Sequence, residues 1–173
     1  MKKKLPLTIL LIFILLISLP VSASSESTDN VDQTTVINIE KDQTYEKDIT
    51  GVYNSIDIKG AVKGNVFAIS SQTADISGSI DGIFAGGANT AALSGIFHKD
   101  VFIFSTFLTV NKATFADDFL ALCAYSFQSD KDTVFSDDVY IYSAETVALR
   151  GDIKGDVMIK ARNVIIDGSI ASD

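Results

Sequence analysis

Aspartates recur at regular intervals in the second half of the chain, and they are the residues there best suited to chemistry. Each stands directly before an aliphatic or aromatic residue, at intervals of about 18 residues. Outside a cell, calcium is the natural partner of such clustered carboxylate oxygens, although aspartate also favours turns. The weak cation-binding candidates are Asp100, Asp118, Asp138 and Asp156, with Asp117 and Asp137 beside two of them.

Other residue types with catalytic potential are scarce. His98 is the only histidine, so neither a histidine-bound catalytic zinc nor a Ser-His-Asp set is expected. The acids in principle supply a glycosidase pair, but turns and exposed strand positions account for them, and no long insertion builds a cleft. We therefore predict no catalytic residue, no cofactor and no enzymatic activity.

The acids sit within a repeat. A phrase of aliphatic residue, glycine and aliphatic residue at alternate positions appears at 58–62, 76–80, 149–153 and 166–170. A second phrase follows, in which a small or acidic residue precedes an apolar anchor that starts an alternating stretch. The anchors are Val66, Ile83, Val101, Phe119, Val139 and Val157. A period near 18 residues indicates a solenoid.

Alternating apolar and polar residues within each repeat predict three short strands per coil. No adequate window of the chain after the first 23 residues keeps apolar residues at helical spacing, whereas β-branched and aromatic residues are dense and glycine recurs at turns. The predicted fold class is an all-β, single-stranded β-solenoid of about seven coils. Stacking of equivalent positions would make one continuous core.

The N-terminus resembles a secretory signal peptide over residues 1–23. Basic residues at 2–4 precede an uncharged apolar stretch, and a small-x-small pattern ends at Ala23. Cleavage after Ala23 is expected, with an uncleaved membrane anchor as the alternative. Residues 24–35 predict a disordered acidic leader, and residues 36–173 the solenoid. The protein is therefore expected to be exported, either extracellular or associated with the cell envelope.

Net charge excludes some classes of partner, and the single cysteine excludes a disulfide within the chain. The net charge is −8 and becomes more negative when the signal peptide is removed, so binding to nucleic acid or anionic lipid is not expected. Cys123 is the only cysteine and cannot form a disulfide within the chain. Small residues stand at the equivalent place in other coils, which predicts a buried column of small side chains.

Apolar residues also occupy positions predicted to point outward from the second strand of each coil. Two such columns together would form a patch larger than a monomer normally exposes. We expect a lateral interface with another copy or with a membrane or cell-envelope protein; the alternative is cover by a chain segment such as residues 24–50. The predicted interface residues are Phe67, Phe84, Phe102, Phe104, Leu120, Tyr140, Tyr142 and Met158.

The sequence phrases at 58–66, 76–83, 151–157 and 164–170 resemble the bactofilin family of polymer-forming bacterial proteins. The resemblance covers roughly residues 52–170 and is clearest at the two ends of that stretch. It implies a three-sided, right-handed β-helix that polymerises end to end without nucleotide and serves as a scaffold.

The two ends of the solenoid are the predicted contacts of such a polymer, because an uncapped strand edge invites pairing with another copy. The sequence thus predicts an exported, non-enzymatic scaffold that forms a homo-polymer. The alternative is a cell-surface binding module that recognises a membrane protein, a surface polymer or cations. The predicted contact residues are Val164, Ile166 and Ile170 at one end and Ile37 and Ile39 at the other.

Overall fold

The computed structural model describes residues 36–171, so the predicted signal peptide and leader lie outside the described residues. The described part is all-β, and no helix in it is long and apolar enough to cross a membrane. Its strands are β1 (Val36–Ile39), β2 (Thr44–Tyr45), β3 (Ile49–Ile58), β4 (Ala61–Val62), β5 (Val66–Ile76), β6 (Ser79–Ile80), β7 (Phe84–Leu93), β8 (Ile96–Phe97), β9 (Val101–Val110), β10 (Thr114–Phe115), β11 (Phe119–Ser129), β12 (Val134–Phe135), β13 (Val139–Ser143), β14 (Thr146–Ile153), β15 (Val157–Lys160) and β16 (Asn163–Ile170).

The strands stack in parallel as a β-solenoid of about eight turns with about 18 residues per turn, which confirms the predicted fold class. Short strands form one ladder, from β2 to β12 and on to the end of β14. The first and second halves of the long strands form two more ladders. In the last coils these halves are separate strands: β13 and β15 are first halves, and β14 and β16 are second halves that continue into the short-strand ladder. Each coil therefore contributes to three ladders. The right-handed sense of the coil remains a prediction.

Side chains alternate between the interior and the surface along each strand. In β5, Val66, Ala68 and Ser70 are buried, whereas Phe67 and Ile69 between them are exposed. This period of two is the geometry of an extended strand. Since the coils are in register, the inward residue of one coil lies on the inward residue of the next, and one hydrophobic core runs along the molecule.

Small residues occupy the place where the long strands change direction. The pairing register shifts there, for example between Cys123 and Ser126. Ser105, Cys123 and Ser143 follow one another at this bend, and all three are buried. The predicted column of small side chains is thus confirmed, and Ala88 continues it one coil before Ser105.

A second small-residue column explains the glycine of the repeated phrase. A Cβ on Gly78 would collide with the carbonyl oxygen of Gly60, and a Cβ on Gly95 would collide with that of Gly78. The column continues through Ala113 and Thr133, which are fully buried. Glycine is therefore needed where one backbone crosses close to the next, and the middle coils leave room for slightly larger side chains.

Phenylalanines fill the core of those middle coils. The ring of Phe115 stacks on Phe97 and on Phe135, with both centroid distances 5.0 Å. Phe119 packs against Phe115 at 4.6 Å and against Phe127 at 5.9 Å. All five rings are fully buried. Aromatic packing thus replaces the aliphatic layers where the glycine-containing phrase of the sequence fades.

One predicted anchor is wrong by a single residue. Phe84, not Ile83, pairs with Val66 on one side and Val101 on the other. Because alternation has a period of two, this shift reverses the facing of every residue of that strand. Phe84 therefore points into the core, is 1% exposed, and contacts the Phe97 ring edge-on. It does not belong to the predicted lateral interface.

Replacing Phe115 tests the aromatic core. We expect Phe115→Ala to lower the free energy of unfolding by about 3–5 kcal/mol, because the cavity would remove contacts in two neighbouring coils. Phe107→Ala is the matched control, since Phe107 is 43% exposed, and should cost less than about 1 kcal/mol. Urea denaturation followed by circular dichroism measures both. Equal losses in the two variants would contradict a stability centred on the Phe115 stack.

Candidate functional site

The C-terminal end of the solenoid exposes an aliphatic layer. Val164, Ile166 and Ile170 are 46%, 49% and 45% exposed. Their register partners one coil earlier, Val147, Leu149 and Ile153, are 1% exposed or less. The two sets occupy equivalent inward positions, so the difference reflects the absence of a covering coil within residues 36–171.

The backbone of this end is also open along one edge. Within the described part of the chain, β16 pairs with β14 over eight residue pairs and with no second strand. A strand with one unpaired edge presents a row of free donors and acceptors to another strand. The exposed aliphatic layer and the open strand edge together resemble the surface that the next coil covers elsewhere in the solenoid.

The N-terminal end differs. Ile39 is buried and Ile37 half-buried, both packed on the core. The Tyr53 ring lies against Gly51, and its hydroxyl donates to the carbonyl of Thr50 at 3.0 Å. Ile37, Ile39, Thr50 and Tyr53 are among the residues that line a cavity of about 650 Å³ at this end. The N-terminal contact residues predicted from the sequence thus present less free aliphatic surface than those at the other end.

The side face carries most of the predicted lateral residues. Phe67, Phe102, Leu120, Tyr140 and Met158 fall in one outward column, with Ala85 in place of Phe84. Exposure varies along it, from 43% and 45% for Phe67 and Met158 to 8% for Phe102. Phe102 thus points outward, as predicted, but its neighbours cover it and it is not freely exposed.

A second outward column lies beside the first. Phe104, Leu122 and Tyr142 are half-buried and follow one another in register, before Lys160 in the last coil. The ring of Phe104 lies over Gly87, which has no side chain to obstruct it. This column is one wall of a groove of about 670 Å³ at the bend of the long strands.

Sequence reasoning missed this groove. Its floor is the buried column of small residues, and its far wall includes Thr106, Ala124 and Ala144. Just beyond, Phe107 and Tyr125 are exposed, with ring centroids 5.2 Å apart. The available signal was the run of small residues, since side chains of that size mark a tight bend. The outer shape of the groove depends on register shifts, which the spacing of residues in the sequence does not reveal.

The aspartates lie at the corner of each coil that joins a short strand to the first half of the next long strand. The carboxylate oxygens of Asp117, Asp118 and Asp137 lie within 4.8 Å of one another. The sequence predicted a row of Asp100, Asp118, Asp138 and Asp156 with Asp117 and Asp137 beside two of them. The structure brings Asp118 together with both of these neighbouring aspartates.

Several oxygens along this corner satisfy backbone amides of the next coil. Asp48 accepts a hydrogen bond from the amide of Asn65 at 2.7 Å, and the Asn65 side chain accepts one from the amide of Ile83 at 2.9 Å. Further along, Asp138 accepts one from the amide of Asp156 at 2.8 Å. Asp138 also accepts a hydrogen bond from the hydroxyl of Tyr140 at 2.9 Å. These hydrogen bonds directly support a role in forming turns for Asp48, Asn65 and Asp138.

Burial and mutual repulsion alter the protonation of the corner. Burial, with the charges of Asp137 and Asp100, raises the pKa of Asp118 to about 6. The pKa of Asp100 is raised for the same kind of reason, burial first and then the charge of Asp117. Burial and the hydrogen bond to Asp138 raise the pKa of Tyr140 to about 12. The acidic corner is thus electrostatically strained at neutral pH.

Comparison with known proteins gives no assignment. No protein-family model, curated protein or solved structure matches this chain. The described residues present three candidate functional surfaces, namely the open end, the side face with its groove, and the acidic corner.

Asp118 makes the stability pH-dependent in a direction opposite to that of most carboxylates. Its pKa is about 6 in the folded chain and about 3.9 in an unfolded one, so the folded state binds its proton more tightly. Stability should fall as the pH rises from about 4 to about 6 and stay lower above that. We expect Asp118→Asn to raise the free energy of unfolding at pH 7 by about 1 kcal/mol, because solvent screens a half-buried group.

Urea denaturation at a series of pH values, with Asp132→Asn as an exposed control, measures this effect. Only Asp118→Asn should flatten the profile between pH 4 and 6, and an unchanged profile would contradict the assignment. Calcium that raises the melting temperature of the original chain but not of Asp118→Asn would instead assign the three carboxylates to cation binding.

Cys123 should be chemically inert in the folded protein. It is 6% exposed, and burial raises the pKa of its thiol to about 11, whereas the thiolate is the reactive species. Alkylation by iodoacetamide at pH 8 should be negligible in buffer and complete in urea, as measured by mass spectrometry. Rapid modification of the folded chain would show that the bend of the long strands opens.

Proposed function

We propose that this protein is an exported, non-enzymatic scaffold that assembles into a homo-polymer by stacking solenoid ends. The observation that carries the proposal is the half-exposed aliphatic layer formed by Val164, Ile166 and Ile170. Each of these residues occupies a position whose equivalent one coil earlier is buried. A coil from another copy, placed on this layer, would continue the core.

The energetics favour such stacking. Completing the burial of three half-exposed aliphatic side chains would contribute about 1 kcal/mol each, and Val157 and Ile159, already packed on the core, would lose their remaining exposure. Hydrogen bonds along the open edge of β16 would add to this. Because the contact repeats the interaction that holds the coils together, it needs no nucleotide and no cofactor.

The sequence resemblance to bactofilins points the same way, since that family forms end-to-end polymers of β-helices. The cavity at the N-terminal end, lined in part by Ile37, Ile49 and Tyr53, offers a surface on which the aliphatic layer of another copy would pack. Export is supported by the signal-peptide pattern of residues 1–23.

Two adjacent isoleucines provide a matched test. Ile166 lies on the inward layer and is 49% exposed, whereas Ile165, 50% exposed, is the register partner of Ala148 on the outer face. We expect Ile166→Lys to raise the critical concentration for assembly more than about tenfold, because stacking would bury a lysine ammonium group. Ile165→Lys should assemble like the original chain.

The experiment uses the full chain, expressed in an exporting host and purified as the cell processes it. Sedimentation and negative-stain microscopy over a concentration series, without nucleotide, measure assembly, and circular dichroism checks the fold. Monomers of the original chain at every concentration would overturn the proposal. Equal assembly of the two lysine variants would exclude the C-terminal layer as the contact.

A further inference from the structure

The side face, with its two outward columns and the groove, is separate from the ends that the polymer would use. At its centre Leu120, Leu122, Tyr140 and Tyr142 are half-buried and form a continuous apolar surface across neighbouring coils. The groove of about 670 Å³ runs beside Leu122 and Tyr142. End-to-end stacking would leave all of this surface uncovered.

An acidic row borders this apolar surface on the side away from the groove. Asp118 and Asp138 each stand two residues before an outward residue of the first column, and the Tyr140 hydroxyl bonds directly to Asp138. Within residues 36–171, no ion pair involves Asp117, Asp118 or Asp137. Their carboxylates are nevertheless clustered within 4.8 Å.

This border decides between possible occupants of the face. A second copy laid side by side would bring another chain of net charge −8 against the acidic row, and the repulsion would oppose pairing. A cationic partner would relieve the repulsion between the aspartates while its apolar side chains cover Leu120 and Leu122. Charge complementarity therefore favours a partner that is both basic and apolar.

The dimensions of the face favour a helix. One helical turn rises about 5.4 Å, and stacked strands lie about 4.8 Å apart, so a helix along the solenoid axis places nearly one turn on each coil. With side chains it is about 10–12 Å wide, whereas Leu120 and Leu122 are about 7 Å apart along their strand. One helix can therefore cover both columns and reach Asp118 with its lysines or arginines.

We propose that the side face between the acidic row and the groove docks a basic amphipathic helix of a partner protein. The apolar stripe of the helix would lie on Leu120, Leu122, Tyr140 and Tyr142. Its basic side chains would lie over Asp117, Asp118 and Asp137. This surface would let a scaffold recruit a second protein along its length without interrupting the stacking of its ends.

The test uses the full purified chain and a fluorescent 14-residue peptide of leucine and lysine patterned as an amphipathic helix. Two further peptides are the same composition in scrambled order and the same pattern with glutamate for lysine. Fluorescence anisotropy measures binding, at two salt concentrations. We expect the patterned lysine peptide to bind at least about tenfold more tightly than either of the others, and more weakly at high salt.

Leu122→Asn and Tyr125→Asn form the matched pair of variants. Leu122 lies on the proposed face, whereas Tyr125 is 53% exposed just beyond the bend. The affinity for the patterned peptide should fall about tenfold or more in Leu122→Asn and stay unchanged in Tyr125→Asn. Asp117→Asn with Asp137→Asn should weaken binding and its salt dependence, while Asp132→Asn should not.

Three results would overturn the proposal. Equal binding by Leu122→Asn and the original chain would place the peptide elsewhere, and equal binding of the scrambled peptide would reduce the effect to net charge. Side-by-side association of the chain itself that Leu122→Asn abolishes would assign the face to a second copy. Circular dichroism of each variant shows whether a loss reflects unfolding, in which case Leu122→Met, which preserves the apolar surface, must retain binding.

Discussion

Register between stacked coils is what allows this chain to have a hydrophobic core. A coil has too few residues to bury a core, so its inward side chains are covered only when the next coil places equivalent side chains on them. Parallel hydrogen bonding maintains that alignment from β1 to β16. The glycine column is part of the same constraint, because the backbones of Gly60, Gly78 and Gly95 approach too closely for a Cβ.

The same constraint distinguishes the inward and outward positions of each coil. Inward positions have the same role in every coil, so an interruption of the stack creates a surface that resembles the core. Outward positions need not match from one coil to the next. The side face can therefore vary in charge and shape without weakening the stack, which explains how Tyr140 links an apolar column to an acidic corner.

The periodicity of the sequence was sufficient to predict the solenoid, because glycine at close backbone crossings and apolar anchors recur at the coil length. It was insufficient at Phe84, since Gly82-Ile83 imitates the acid-anchor phrase one residue early. Outward facing was predicted correctly for Phe102, yet its 8% exposure follows from the bulk of neighbouring side chains. The groove and the grouping of Asp117, Asp118 and Asp137 arise from bends and turns, and a linear pattern does not encode their distances.

The phenylalanine stack in the middle coils has a consequence for the order of folding. Repeat proteins can begin to fold at any point and then extend to their neighbours, and the favoured starting point is the one with the largest local gain. Phe97, Phe115 and Phe135 provide that gain around β8 to β12. Coils would then add outward in both directions, and β16 would join only after β14 is in place. The surface proposed to recruit another copy would thus mature after the coils beneath it, which would delay assembly until the C-terminal side of the subunit has folded.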